Sequence, residues 1–515
     1  MRQKSVWLIF AVASALSIVW AGVHVRADDP SNWESSDWGA VVEHELLEHS
    51  GDLFGVFKPL KESALGGYTG ADSTLAVKVA RSLHVSLVSS AVGANADMIA
   101  LWPNDDRPTH LFVCVENGGT SAIVQRVDLS LPPNANALTI LTGISACDPI
   151  RRTAWGTIVA AEEAGATGGF YEIMSPGGAF AAPVNVINRS TGQTSGPARV
   201  IKRKAVGSLS FEGQVILPDG TMYFGDELRP GTNPNGSGSL GGGIFKFVPL
   251  VPHTNDSVIT DPTLSPFASG SLYGLRVGNT GDYGQGTEIG QGVWVPIDGH
   301  LYEDANGNII LRNAQTALHL TGYYRPEDFD LDPIAFEQGK IRFCVANTGR
   351  VSNGGGSAVE TASTYGEVIC VSDDDDMTAA TGRVPTVRRF IAGDRQAEMF
   401  DNLAFQPHTG NLVVLEDGEV EVVKKDGTTE LRGNDVWMCL PDGKDHDVQS
   451  DGCIRIMSLT DTTAEPTGWI FTGSGRTAYV NIQHRSAGAG ALLKISGFDV
   501  HKRRAHKNDD DDDDR

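Results

Sequence analysis

Short apolar runs, each closed by an acid or an amide, recur along this chain. Pro108–Asn117 reads PTHLFVCVEN, Ala154–Glu163 reads AWGTIVAAEE, and Thr221–Glu227 reads TMYFGDE after the turn Pro218-Asp219-Gly220. Lys340–Asn347 reads KIRFCVAN, Asp401–Gly418 reads DNLAFQPHTGNLVVLEDG, and Thr477–His484 reads TAYVNIQH after the turn Gly473–Arg476. Each run is too short for a helix, rich in β-branched and aromatic residues, and bounded by Gly, Pro, Asn or Asp, the pattern of a strand between turns. About six such strands with an oxygen-bearing side chain at the end predict radial repetition around a shared centre. The expected fold class is all-β, a six-bladed β-propeller. Met98–Trp102, Ser121–Leu129, Phe170–Met174, Ile244–Val248, Gly366–Val371, Val436–Leu440 and Cys453–Leu459 read as further strands. Leu492–Ile495 is expected to close the ring, which removes exposed edges.

The rest of the chain divides around that core. Residues 1–27 read as a secretory signal: Arg2 and Lys4, an apolar stretch Val6–Val23, then Val25-Arg26-Ala27. Residues 28–90 are a lead-in. Its Glu43–His49 stretch resembles the HExxH metal motif but spaces its histidines one residue too far apart for one helix face. Residues 91–500 form the propeller, with a loop-rich insertion near 252–322 that contains a helix at Leu311–Leu320. Residues 501–515 are a disordered acidic tail, and Asp373–Asp376 reads as a solvated acidic run.

Composition narrows the function classes. Of 515 residues, 60 are glycine, which suits a turn-rich fold, and the formal net charge of −23 gives a surface that repels nucleic acid. After the leader no segment is apolar enough to span a bilayer, so the expected location is secreted or periplasmic, without stable membrane insertion. Six cysteines lack CxxC spacing, which argues against a thiolate zinc site. Cys439 and Cys453 are the best local disulfide pair, Cys344 and Cys370 a second, and Cys114 reads as a small buried apolar residue.

The candidate centre collects Glu162, Glu163, Glu212, Glu227, Glu327, Asp401 and Glu465, with Cys147 as a soft ligand. Glu162 and Glu163 are adjacent in a strand, so one faces the centre and the other away. Carboxylates suit Ca²⁺ and a thiolate suits a transition metal, so a mixed calcium and iron site accounts for both donor types. Arg325 and Glu327 flank Pro326, and Arg325 serves either as a structural ion pair or as a bidentate phosphate grip.

Cys147–Glu163 (CDPIRRTAWGTIVAAEE), Phe211-Glu212-Gly213, Tyr223–Glu227, Tyr324–Glu327, Phe400–Gly418, Glu465–Gly468 and Val480–His484 together resemble the PhoX-type alkaline phosphatases, secreted bacterial β-propeller enzymes. The resemblance is scattered over most of Leu111–His484. It implies an iron–calcium cofactor (Fe³⁺ and Ca²⁺) held by Cys147, Glu162, Glu212, Glu327 and Asp401, with Glu163, Glu227 and Glu465 as further donors. It also implies Arg325 and Glu327 as catalytic residues and hydrolysis of a small phosphorylated substrate, a phosphomonoester. The chain departs from that pattern at Val115-Glu116-Asn117, where relatives carry Asn-His-Glu. It departs again at Phe211, where a histidine is common, and at Asp148–Arg152, in place of a glycine-rich turn. Alternatives are a noncatalytic calcium-binding propeller and a calcium-dependent lactonase or other hydrolase. Oligomeric state is not encoded in any pattern found.

Overall fold

The computed structural model describes residues 40–196, 198–230, 241–277, 289–349, 365–373, 384–394, 396–418, 421–423, 429–443 and 449–500. The leader, the acidic tail, and most of the Gly/Ser/Asn-rich loop at 230–243 and of the Asp run lie outside them. The architecture is a β-propeller of largely antiparallel sheets standing around an axis, with one parallel pair, Ala137–Thr142 with Val184–Asn188, at the rim of the first sheet. Each sheet begins on the axis and is followed outward by hairpin neighbours. The innermost strands are β1 (Ala96–Trp102), β2 (Cys147–Arg152), β3 (Phe211–Ile216), β4 (Pro326–Leu331), β5 (Phe400–Phe405) and β6 (Glu465–Phe471). β1 packs on β2, and so on around to β6, which returns to β1. The sheets that start with β3 and β4 are joined at their rims, where Gly290–Ile297 pairs with Pro385–Ala392. Within the region expected as an insertion, Gly270–Val277 and Gly290–Ile297 extend the β3 sheet, and Leu311–Leu318 is helical.

All six strands singled out by their acidic ends prove to be the second strand of a sheet, one step from the axis. Their partners are the β1–β6 strands: His110–Val115 pairs with β1, Ile158–Glu162 with β2 and Met222–Asp226 with β3. Arg342–Asn347 pairs with β4, Leu412–Glu416 with β5 and Thr477–Gln483 with β6. Asp401 therefore lies in the axial strand itself, and the run after QPHTG is the second strand.

The ring is closed from the chain's N-terminal side. His84–Ser89 adds the outer strand to the β6 sheet by pairing with Ala491–Ser496, and Val77–Val79 pairs with Cys453–Leu459 of the β5 sheet. Between sheets the core is apolar and, beside β3, aromatic: Phe170, Phe211, Phe224, Phe245 and Phe267 are fully buried together. Each such ring contributes about 1.5–3 kcal/mol of burial. Disulfides Cys344–Cys370 and Cys439–Cys453 each join directly opposed ladder residues. Cys114–Cys147 links the second strand of the first sheet to β2. Asp373, expected as solvated surface, is instead fully buried and accepts from Lys246 Nζ at 2.6 Å, Trp294 Nε1 at 2.6 Å and the Tyr223 hydroxyl. Among the described residues, no helix is long and apolar enough to cross a membrane.

Candidate metal centre

Each axial strand carries one extra residue against its partner, always near its start. In β1, Ala96 and Ile99 oppose Val115 and Val113; in β2, Cys147 and Ile150 oppose Glu162 and Ala160. The same three-against-two register recurs at Phe211/Gln214, Pro326/Phe329, Phe400/Leu403 and Thr467/Ile470. A β-bulge re-aims a side chain out of the pleat. In five of the six bulges the first bulged residue is an acid: Asp97, Asp148, Glu212, Glu327 and Asp401. In β6 it is Gly468, at φ 62°, where a Cβ would lie 2.6 Å from the Asp97 carbonyl. There the acid is Glu465, at the start of the strand.

The second strands deliver another tier. The residue after each strand's end is Glu116, Glu163, Glu227, Thr348, Asp417 or His484. Carboxylate oxygens of Asp97, Glu116 and Asp148 lie within 4.8 Å of one another, as do those of Asp148, Glu163 and Glu212, and those of Asp401, Asp417 and Glu465. Gln483 Nε2 reaches Asp97 at 3.0 Å, Glu465 at 3.2 Å and Glu116 at 3.4 Å, and ties the first group to the third.

Arg325 is the guanidinium that pairs with these acids among the described residues, and His484 Nδ1 lies 3.5 Å from Glu465 Oε2. Arg325 Nε lies 2.8 Å from both Glu227 Oε1 and Glu327 Oε1, and its Nη2 3.5 Å from Asp417 Oδ2. Thr348 Oγ1 donates to Glu327 at 3.0 Å. Arg325 sits at φ 56°, a left-handed conformation costly for a side chain this large, immediately before Pro326. Its backbone is held there by Thr348 N, which donates to the Arg325 carbonyl at 3.1 Å.

The electrostatics are those of unneutralised acid. Burial first, then the neighbouring carboxylates, push Asp97, Asp148, Glu212 and Glu465 well above the usual carboxylate range. Glu327 rises likewise, because burial outweighs its Arg325 partner. Burial with Glu227 and Glu116 nearby lifts Glu163 to about 8, and burial with Asp417 lifts Asp401 to about 7. Burial opposes the charge of Arg325, but Glu327, Glu227 and Asp417 outweigh it and hold the guanidinium charged. Asp148 and Glu212 share a hydrogen bond, and so do Asp401 and Glu465. Such carboxylate pairs need a proton or a cation between them. Asp97 Oδ1 and Asp148 Oδ1 are buried with no protein partner. Clustered oxygen donors with orphaned lone pairs fit hard cations.

Seven of the expected site residues (Glu163, Glu212, Glu227, Arg325, Glu327, Asp401 and Glu465) are brought together here. Two expectations are corrected. Cys147 is disulfide-bonded to Cys114, so neither is a free sulfur: Cys147 offers a metal no thiolate, and Cys114 is not merely a small apolar residue. Glu162 turns away from the axis. Fully buried, it accepts from Arg189 Nε at 2.5 Å and from the Ser145 and Gly169 amides at 2.8 Å. It is neutralised by Arg189, which follows the strand Val184–Asn188 of the neighbouring sheet, while its neighbour Glu163 joins the centre. The Trp-Gly-Thr motif buttresses this strand: Trp155 Nε1 and Thr157 Oγ1 donate to buried Glu172 at 2.8 and 2.7 Å. Sequence reasoning missed Asp97, Asp148, Glu116 and Asp417 as members. The signal for the bulged acids is a repeated tetrapeptide, ADMI, CDPI, FEGQ, PEDF and FDNL, with the acid always second.

Fold and centre together define a β-propeller with an acidic, arginine-bearing axial site. The family model "Alkaline phosphatase PhoX" matches residues 194–486, more than half of the chain, and the chain belongs to that family. Among solved structures it is similar to Pseudomonas fluorescens PhoX in complex with vanadate, a transition state analogue. That likeness has 15% identity and a TM-score of 0.56, over 84% of this chain and 98% of that one. It is also similar to the Xanthomonas campestris gluconolactonase XC5397, at 12% identity and a TM-score of 0.39, over 85% and 96% of the two chains. No curated protein sequence matches the chain.

Proposed function

We propose that this chain is an exported, metal-dependent phosphomonoesterase built on six blades, whose axial carboxylates hold Ca²⁺ and Fe³⁺ and whose Arg325 orients the phosphate. One observation carries the reading: the six axial strands and the second-strand ends aim ten acids (Asp97, Glu116, Asp148, Glu163, Glu212, Glu227, Glu327, Asp401, Asp417 and Glu465) at one axis beside the Arg325 guanidinium. Both ions are hard and accept an all-oxygen donor set, which is what remains once Cys147 is tied to Cys114. When bound, such cations supply positive charge against the oxygens of the reacting phosphoryl group.

The chain's own residues do the rest. Glu227 and Glu327 fix the Nε side of Arg325, and its terminal nitrogens, met on the protein side by the longer 3.5 Å contact of Nη2 with Asp417, are the ones to grip phosphate oxygens in a fork. Thr348 holds Glu327 in register with that arginine. Burial strengthens each of these interactions relative to water. Three disulfides fit an oxidising compartment and support export. The charge of −23 disfavours nucleic acid as the substrate.

The test is elemental analysis of the purified protein, paired with hydrolysis of p-nitrophenyl phosphate before and after chelation. Bound calcium and iron with chelator-sensitive hydrolysis support the proposal. A cation-loaded protein that hydrolyses no phosphomonoester overturns the activity, and calcium without iron overturns the mixed cofactor.

A further inference from the structure

Below the acidic centre, on the same axial strands, one ion pair skips a neighbour. Arg151 of β2 reaches past β3 to β4, where its Nη2 lies 2.9 Å from Asp328 Oδ1 and 3.2 Å from the Phe329 carbonyl. Its Nη1 donates to the Ile150 carbonyl at 3.2 Å and approaches Met98 Sδ of β1 at 3.6 Å. The other oxygen of Asp328, Oδ2, accepts from Leu403 N of β5 at 3.2 Å. Two residues further along β4, Asp330 repeats the link by accepting from Phe405 N at 2.8 Å. Gly213 of β3 makes the crossing feasible: a Cβ there would lie 2.4 Å from Asp328 Oδ1 and 2.1 Å from Phe329 N. No side chain fits between β3 and β4 at that level.

These partners are placed beside the centre's donors. Arg151 is three residues after Asp148, Asp328 follows Glu327, and Leu403 is two residues after Asp401. We propose that Arg151, through Asp328, is a positioning residue that braces β2, β4 and β5 from beneath and so sets the spacing of Asp148, Glu327 and Asp401 around a bound cation. The inference rests on the reading of the axis as a cation site. Arg151 touches none of the donors, and it acts through strand position. A guanidinium is suited to this because its planar fork spans two strands, with Nη2 on the Asp328 carboxylate and Nη1 on the Ile150 carbonyl, a reach that the single nitrogen of an ammonium does not have.

The test is calcium affinity of chelator-stripped full-length protein, measured by equilibrium dialysis, for wild type, R151M, R151K and the control R455M. Arg455 pairs with Asp435 at 2.5 Å in a strand remote from the axis. R455M should lower the thermal midpoint in chelator but keep calcium affinity within about twofold. R151M should weaken calcium about 10–100-fold, the range for supports that orient metal ligands. The direction is diagnostic, because loss of a positive charge by itself would tighten cation binding. R151K should fall between R151M and wild type. If wild type binds no calcium, the reading of the centre fails. If wild type binds and R151M stays within about twofold of it, or R455M weakens as much, the brace is overturned. Should R151M not fold, R151K decides: wild-type affinity overturns the brace and weakened affinity upholds it.

Discussion

Glu162 and Glu163 are adjacent in the chain, both largely buried, and electrostatically opposite. Glu162 is met by Arg189 and two backbone amides, whereas Glu163 is met by Asp148 and Glu212. The contrast recurs at other second-strand ends. Asp226 takes a two-pronged grip from Arg312, both contacts at 2.7 Å, while Glu227 turns to Arg325 and the axial acids. Glu416 is gripped by Arg432 at 2.5 and 3.0 Å, while Asp417 joins Asp401 and Glu465. The first acid of each pair brings a counter-charge encoded in the chain. The second at most shares Arg325, as Glu227 and Asp417 do, and the rest of its neutralisation is left for something the chain does not encode. A buried carboxylate without a partner costs several kcal/mol, so the two sets reveal their roles by where their neutralising charge comes from.

The largest effect that separates them is on folding. R432M strips the guanidinium from Glu416, Glu398 and Asp435, all buried. It should cost about 3–5 kcal/mol in denaturant unfolding and leave calcium affinity unchanged. A loss of calcium binding with normal stability would erase the distinction. Next, R325M should lower kcat/KM for p-nitrophenyl phosphate by about 100-fold or more while cation content is retained, as expected for a charge aimed at the reacting group. An unchanged rate would return Arg325 to a purely structural ion pair. A smaller, sharper contrast comes from the neighbours themselves. E163Q should weaken calcium about tenfold, and E162Q should leave it near wild type but lower the thermal midpoint; calorimetry and dialysis on both variants read this directly.

The smallest effect is a pH dependence of the metal-free protein. Glu163 at about 8 and Asp401 at about 7 bind protons more tightly folded than unfolded. Their stabilising contribution is therefore full below the ordinary carboxylate range and is lost as pH rises through about 7–8. In chelator the thermal midpoint should be higher at pH 5 than at pH 9, and calcium should flatten the difference. A midpoint that rises with pH would contradict unneutralised acids on the axis.

The strands and their acidic ends were legible because period-2 alternation and turn residues are local signals. So was the divergence of Glu162 from Glu163, which follows from the pleat. Which of the two faces inward was not, since that depends on Arg189, a residue from another part of the fold. Asp97 and Asp148 escaped notice because a bulge breaks the alternation it sits in. ADMIALW reads as an apolar strand with a polar start, and CDPIRR as a loop, until the register with the partner strand is known. The fate of Cys147 was hidden for a similar reason: its partner Cys114 lies 33 residues away in another sheet. Sequence spacing alone favoured the hairpin pairs Cys439–Cys453 and Cys344–Cys370, both of which form.

The outer strand His84–Ser89, which pairs with Ala491–Ser496, sets a timetable for the whole molecule. During synthesis the acids emerge one sheet at a time, from Asp97 to Glu465, each in a blade that gains stability from its own hairpins. Repulsion within the Asp97–Glu116–Asp148, Asp148–Glu163–Glu212 and Asp401–Asp417–Glu465 groups is incurred as neighbouring sheets meet, whereas that between Asp97 and Glu465, which Gln483 joins, waits until segments about 400 residues apart find each other and the circle shuts. That late encounter puts part of the cost of crowding like charges at the final step of folding. On the reading of the axis as a cation site, circle closure and cation capture are coupled, and refolding of the chelated chain should accelerate as free calcium is raised. The zipper at the rim thus works as a latch whose key is the ion content of the surroundings.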